Sequence, residues 1–187
     1  MQLSPEGLKL LKQSEGFRGQ VYLDAAGHPT IGYGHRLLPS QSFPEGITEQ
    51  QATEILLNDV CEAERAVSRL VRVPLAQGQF DALVDFCFNL GQNRLAASSL
   101  LDCLNRGRYS AAAEQLLLWD HAGHRELAAL RARREAEFHL WHKPCSRPAV
   151  CRVMLLPAAW KRFPELRAST LDSVLHSTAK DTFWAGL

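Results

Sequence analysis

A chain of 187 residues with 46% hydrophobic and 22% charged content is long enough for one sizeable domain or two small lobes sharing a core, and its composition excludes a disordered or fibrous chain. The formal net charge of +1 is too balanced to indicate a nucleic-acid-binding domain, and no stretch approaches the roughly 20 apolar residues of a membrane span. The charge is uneven: residues 144–187 carry six Lys/Arg against three Asp/Glu, a mild pull toward anionic partners or simple solvation.

In chain order, MQLSPEGLKLLKQSEG has no uninterrupted apolar run, so a soluble product without a signal peptide is expected. Ser4, Pro5 and Glu6 form a helix start: a capping hydroxyl, a proline at the first helical position and an acid near the positive end of the dipole. Leu8 and Leu11 share a face, and Gly16 can end the helix, leaving Glu15 at its last turn. From Gln20 to Gly34 the short β-like pieces VYL and TIGY surround AAGHP, the pattern of a hairpin. With Gly27 as the tip, Asp24 and Thr30 become direct cross-strand neighbours, their Cβ atoms about 5 Å apart.

LPSQSFPEG is a turn-rich connector, after which Thr48 and Gln51 make a capping box. The stripe Ala52, Ile55, Leu56, Val60, Ala63, Val67 and Leu70 predicts a long amphipathic helix able to bridge two lobes. FDALVDFCFNLG reads as a core helix ending at Gly91, with Ala76 where a capping side chain is usual. SLLDCLNRG, SAAAEQLLLW with Ser110 as cap, and RELAALRARREAEFHLW continue the helical character. Phe86, Phe88, Trp119 and Trp141 fall at core-like spacing, and Asn89 reads as a helix-end cap. Lys143-Pro144 breaks the pattern, and 144–187, with its prolines and unsteady period, reads as an appendage.

The five cysteines, Cys61, Cys87, Cys103, Cys145 and Cys151, form an odd set without CxxC spacing, as expected of reduced thiols; a Cys145 to Cys151 bridge is the alternative. Seven scattered histidines show no H-E-x-x-H or Cys/His spacing, so no metal is expected. Two carboxylates beside a cleft are what acid-catalysed acetal cleavage requires, one to protonate the leaving oxygen and one to direct water or attack the anomeric carbon. Spacing alone does not separate Glu15 and Asp24 from two solvated surface acids.

The stretch from Glu15 to His35, EG-x7-D-x5-TIGYGH, strongly resembles the N-terminal motif of phage-type lysozymes, the endolysins of glycoside hydrolase family 24. FDALVDFCFNLG is similar to that family's central helix, LLDCLNRGRYSAAAEQLLLW to its next helix pair, WDHAGH to its tryptophan turn and LAALRARREAE to its arginine-rich last helix. The likeness covers about residues 3–143; Gly123-His124 and Ala129-Leu130 depart from the usual pattern, and 144–187 matches nothing in the family.

The resemblance implies an α+β, lysozyme-like fold: a small β-hairpin lobe over about 1–47, a bridging helix over about 48–71 and a helical lobe over about 72–143, with 144–187 an extension of unknown role. It implies a muramidase that hydrolyses the β-1,4 bond from N-acetylmuramic acid to N-acetylglucosamine in peptidoglycan, with Glu15, Asp24 and Thr30 as the catalytic triad. Glu15 is expected to be the general acid, Asp24 the ionised partner, and Thr30 to hold the attacking water with it. Inversion is the family's outcome, which calls for carboxyl groups about 6.5 to 9.5 Å apart.

Arg131 and Arg134, three apart on one face, are candidates for an arginine beside Glu15 or for a solvated basic stripe. His35 is expected to pair structurally with Asp59. Tyr22 and Tyr33 offer aromatic surface to sugar rings or to hairpin packing, and Gly32 and Gly34 are expected to let backbone approach the glycan. No cofactor, no nucleic-acid partner and no stable membrane insertion are expected. The implied protein is a monomer that acts on glycan strands and is held in the host cytoplasm until holin lesions admit it to the periplasm. The alternatives are a lytic transglycosylase, which cleaves the same bond without water, and a peptidoglycan-binding virion protein that no longer catalyses. In the extension, basic residues with Trp160, Phe163 and Trp184 raise the further idea of disturbing an outer membrane.

Overall fold

Ser4 opens the first helix, α1 (Pro5–Glu15), its hydroxyl accepting from the Gly7 N–H at 3.2 Å. Gly16 stops α1 with φ 71° and ψ 148°, a backbone conformation that only glycine adopts without strain, so Glu15 stands at the helix end. In this computed structural model residues 1–24, 26–122 and 125–144 are described, and they lie within one unit, Met1–Cys145.

Strands β1 (Arg18–Leu23), β2 (Pro29–Gly32) and β3 (His35–Arg36) follow as an antiparallel sheet in the order β1-β2-β3. The hairpin exists, but its register differs from the expected one. Thr30 lies opposite Tyr22, and Leu23 opposite Pro29, so Asp24 faces His28 and meets Thr30 only on the diagonal. The cause is the loop. The Asp24 N–H donates to the His28 carbonyl and the Gly27 N–H to the Asp24 carbonyl, both at 2.9 Å. Gly27, at φ 82°, is therefore the last residue of a three-residue loop and not its centre, a position that demands positive φ.

Helix α2 (Glu49–Leu70) runs for 22 residues behind the Thr48 and Gln51 capping box, burying Ala52, Leu56, Val60, Ala63 and Val67 along one stripe. It touches β2 and β3 as well as α3 (Gln77–Leu90) and α4 (Gln92–Ala96), and so joins the sheet to the helices. Helix α3 is buried without a break from Phe80 to Cys87, the mark of a helix surrounded by others. Two acids, Asp81 and Asp85, lie inside that run. Helices α5 (Ser99–Asn105) and α6 (Tyr109–Leu116) pair with each other, α5 also touching α4; α6 starts one residue before Ser110, so Ser110 lies in its first turn and caps nothing.

A short antiparallel hairpin, β4 (His121–Ala122) and β5 (Arg125–Glu126), which the sequence pattern does not announce, leads into α7 (Ala128–Trp141). Helix α7 packs against α3 so closely that a Cβ on Gly78 would stand 2.2 Å from the Leu140 carbonyl oxygen. The core is made of Leu11 from α1, Phe80, Leu83 and Phe86 from α3, and Leu104, Leu116 and Trp141 from the later helices.

The architecture is thus α+β, mostly helical with a small antiparallel sheet. Among the described residues Cys61, Cys87 and Cys103 are free thiols, and burial pushes the Cys87 thiol up to about 11. No helix among them is long and apolar enough to cross a membrane. The alternative of a Cys145 to Cys151 bridge, the Gly123-His124 departure and the aromatic residues of the extension lie outside the described residues.

Candidate active site

The end of α1 presents the Glu15 carboxyl, partly exposed, with Oε1 accepting from Arg133 Nη1 at 2.8 Å. Its other oxygen looks toward the β2–β3 turn, where a Cβ on Gly34 would stand 3.9 Å from Oε2. Gly34 therefore keeps space free beside the acid. Gly32 does not: it is buried, and a Cβ there would meet Ala52 and Ile47 at 3.2 and 3.3 Å, so its smallness lets the sheet close onto α2.

Arg133 corrects the expectation placed on Arg131 and Arg134. Arg131 is exposed and pairs with Glu126 at 2.9 Å and Glu135 at 3.2 Å, away from Glu15. Arg134 is fully buried, giving Nη1 to Glu137 at 2.8 Å and Nη2 to the Asn89 side-chain oxygen, with its Nε left without a hydrogen-bond partner among the described residues; Asn89 thus serves as its acceptor. The arginine between them reaches the site: Arg133, Arg134, Glu137 and Trp141 are the buried positions of α7, and of the two buried arginines Arg133 is the one turned to Glu15.

A second anion holds Arg133 from behind. Asp85 on α3, with no exposed surface, accepts from Arg133 Nε at 2.7 Å and from Nη2 at 3.1 Å, a bidentate grip. Burial opposes the Arg133 charge, yet Asp85 and Glu15 outweigh it and hold the guanidinium above its ordinary pKa. Sequence reasoning missed Asp85, Arg133 and Glu137. Acids at positions 81 and 85 in an otherwise apolar helix were the available signal, since a buried carboxylate must find partners. Asp81 finds them in the Ser4 N–H at 3.0 Å, the Ser4 hydroxyl and Gln77.

Asp24 is fixed by its own loop. Its Oδ1 accepts from the Ala26 and His28 N–H groups, each at 2.8 Å, and its Oδ2 pairs with Arg36 at 3.0 Å. The His28 N–H, with Ala26 and the Arg36 charge, holds this carboxyl below the usual range, overcoming partial burial. Thr30 is almost wholly buried and donates its hydroxyl to the His28 carbonyl at 3.0 Å. Tyr22, Thr30 and Arg36 are consecutive ladder partners across the three strands, so Asp24, two residues beyond Tyr22, shares their face.

His35 lies with Nδ1 2.9 Å from Asp59 Oδ2 and with Nε2 3.1 Å from Gln41, tying β3 to α2 and to the connector. The Arg18 guanidinium covers the Tyr22 ring at 4.4 Å. Tyr33 is buried and donates to Glu49 at 2.8 Å, a packing role. Two surface depressions of about 530 Å³ each lie between α1, Tyr33 and Glu49, and between α2 and the α3–α4 junction. Neither is lined by Glu15, Asp24 or Thr30; chemistry, not volume, selects the site.

A carboxyl at a helix end, a second one preset on a hairpin and a bridging helix between sheet and bundle define the lysozyme-like class. The phage lysozyme family model matches residues 12–137, and the chain belongs to that family. It is 44% identical over 126 residues to an endolysin of Salmonella phage P22, covering 66% of this chain and 86% of that one. It is 39% identical over 140 residues to an endolysin of Bacillus phage B103, covering 73% of this chain and 52%, about half, of that relative. Among solved structures, the muramidase domain of SpmX from Asticaccaulis excentricus superposes with a TM-score of 0.71 at 37% identity, covering 76% of this chain and 99% of that domain.

Proposed function

We propose that this chain is a muramidase of glycoside hydrolase family 24, an endolysin that hydrolyses the β-1,4 bond between N-acetylmuramic acid and N-acetylglucosamine in peptidoglycan. The observation that carries this reading is Glu15, a carboxyl at the end of α1 oriented by Arg133 and left open on the side of Gly34. Glu15 delivers a proton to the glycosidic oxygen as the bond breaks. Asp24, preset by two backbone N–H groups and kept ionised, steers water to the anomeric carbon with the Thr30 hydroxyl, which can turn from the His28 carbonyl. The catalytic domain is assigned to 1–143, the chain acts as a monomer, and it reaches the wall through holin lesions.

The test is product analysis on purified peptidoglycan. Hydrolysis leaves reducing muramic ends, whereas a lytic transglycosylase leaves anhydro ends; retention of Asp24 and Thr30 favours the first. Glu15→Gln is expected to lower the rate by at least about 10²-fold, the contribution of a general acid, while the circular dichroism spectrum stays unchanged. A Glu15→Gln protein that still clears a suspension of permeabilised cells at the normal rate overturns the assignment.

A further inference from the structure

Behind Arg133 stands a third carboxyl, Glu137 on α7, with no exposed surface and no part in the mechanism above. Arg134 Nη1 lies 2.8 Å from both of its oxygens, but the N–H is aimed at Oε2. Oε1 receives no hydrogen bond. It is 3.9 Å from Arg133 Nε, and that N–H is already given to Asp85 Oδ2 at 2.7 Å. A buried anionic oxygen without a donor is costly, whereas a protonated one needs only an acceptor.

We propose that Glu137 is a positioning residue for the muramidase reaction: as a neutral acid it donates a hydrogen bond from Oε1 to Asp85, fixing the carboxylate that aims Arg133 at Glu15. The proposal rests on the muramidase reading of Glu15. Charge supports it. The groups that face Glu137 are Asp85 from α3 and Arg133 and Arg134 from α7, with Glu15 of α1 behind Arg133. Of the two acids, Asp85 already accepts two N–H groups from Arg133 whereas Glu137 Oε1 accepts none, so the proton rests on Glu137. Burial first, and then the Asp85 charge, hold the Glu137 carboxyl well above its ordinary pKa, against the pull of the two arginines.

Infrared difference spectra of wild type against E137Q at neutral pH test the proton directly. The carbonyl stretch of a protonated carboxyl, present in wild type and lost in E137Q, is expected; its absence overturns the proposal. On purified peptidoglycan, E137L is expected to lower kcat by about 10- to 100-fold with KM little changed, as misaiming of a catalytic group does. E137Q keeps a neutral donor and is expected to restore kcat and the wild-type pH profile. An E137Q profile displaced along the pH axis means that a charge was lost, and an E137L enzyme with normal kcat means that Glu137 positions nothing; either result sinks the idea. If E137L does not fold, the infrared band and E137Q decide. The infrared readout needs no activity, so failure here is distinct from failure of the Glu15→Gln test.

Discussion

Arg133 carries more of the site than any other single side chain, because it is nearly buried between Asp85 and Glu15 and makes charge-assisted hydrogen bonds to both. Replacing it with a shape-similar apolar residue leaves Asp85 a buried anion without its counter-charge. Arg133→Met is therefore expected to cost about 3–5 kcal/mol of stability, seen as a lower urea midpoint; an unchanged midpoint excludes a structural share for this pair. Asp24 sets the pH behaviour. Its folded-state pKa lies below the ordinary 3.8, so its contribution to stability is present above that value and fades as pH falls through the lower folded value. Asp24→Asn should accordingly lower Tm at neutral pH, with the gap to wild type closing at the acid end; a gap independent of pH contradicts the carboxylate's role. The resemblance of the stretch from Glu15 to His35 is what singled out Glu15, Asp24 and Thr30 in the sequence. Arg133 was not, because helical spacing groups Arg131 with Arg134 without saying which face turns inward.

At the scale of elements, the caps were the most legible features. Ser4, Thr48 with Gln51, and Gly16 act over three or four residues, and each stands where its local chemistry places it. Helix α3 shows the same rule by its exception. Ala76 occupies the cap position with φ −74° and ψ 159°, and only the Gln79 side chain answers, accepting from the Ala76 N–H at 2.9 Å. The backbone is already shaped for a capping hydroxyl. Ala76→Ser is expected to stabilise the protein by about 1 kcal/mol, measured as a rise in Tm or urea midpoint; no gain would mean that the first-turn N–H groups are satisfied otherwise. The β1–β2 hairpin was foreseen, but its centre was off by one residue, enough to move Thr30 from opposite Asp24 to opposite Tyr22. The β4–β5 pair is two residues long on each side, too short for any period to declare itself.

At the scale of the molecule, the site residues and the buried core of the described residues come from positions before Lys143. A chain ending at Lys143 is therefore expected to hydrolyse purified peptidoglycan at close to the full rate. A large loss of turnover would assign residues 144–187 a part in catalysis, while loss restricted to intact cells would assign them to access. By itself the sequence determined where α1 and α2 start, which stripe of α2 is apolar, and which stretch, from Glu15 to His35, resembles the family motif, since caps, periodicity and motifs act within a few residues along the chain. Only the tertiary structure decided that Arg133 serves Glu15, that Asp85 and Glu137 stand behind it, and that Gly32 packs against α2 while Gly34 opens beside the acid. These pairings join α1, α3 and α7 across as many as 118 positions, and the energy that selects them arises only when charged groups lose water together.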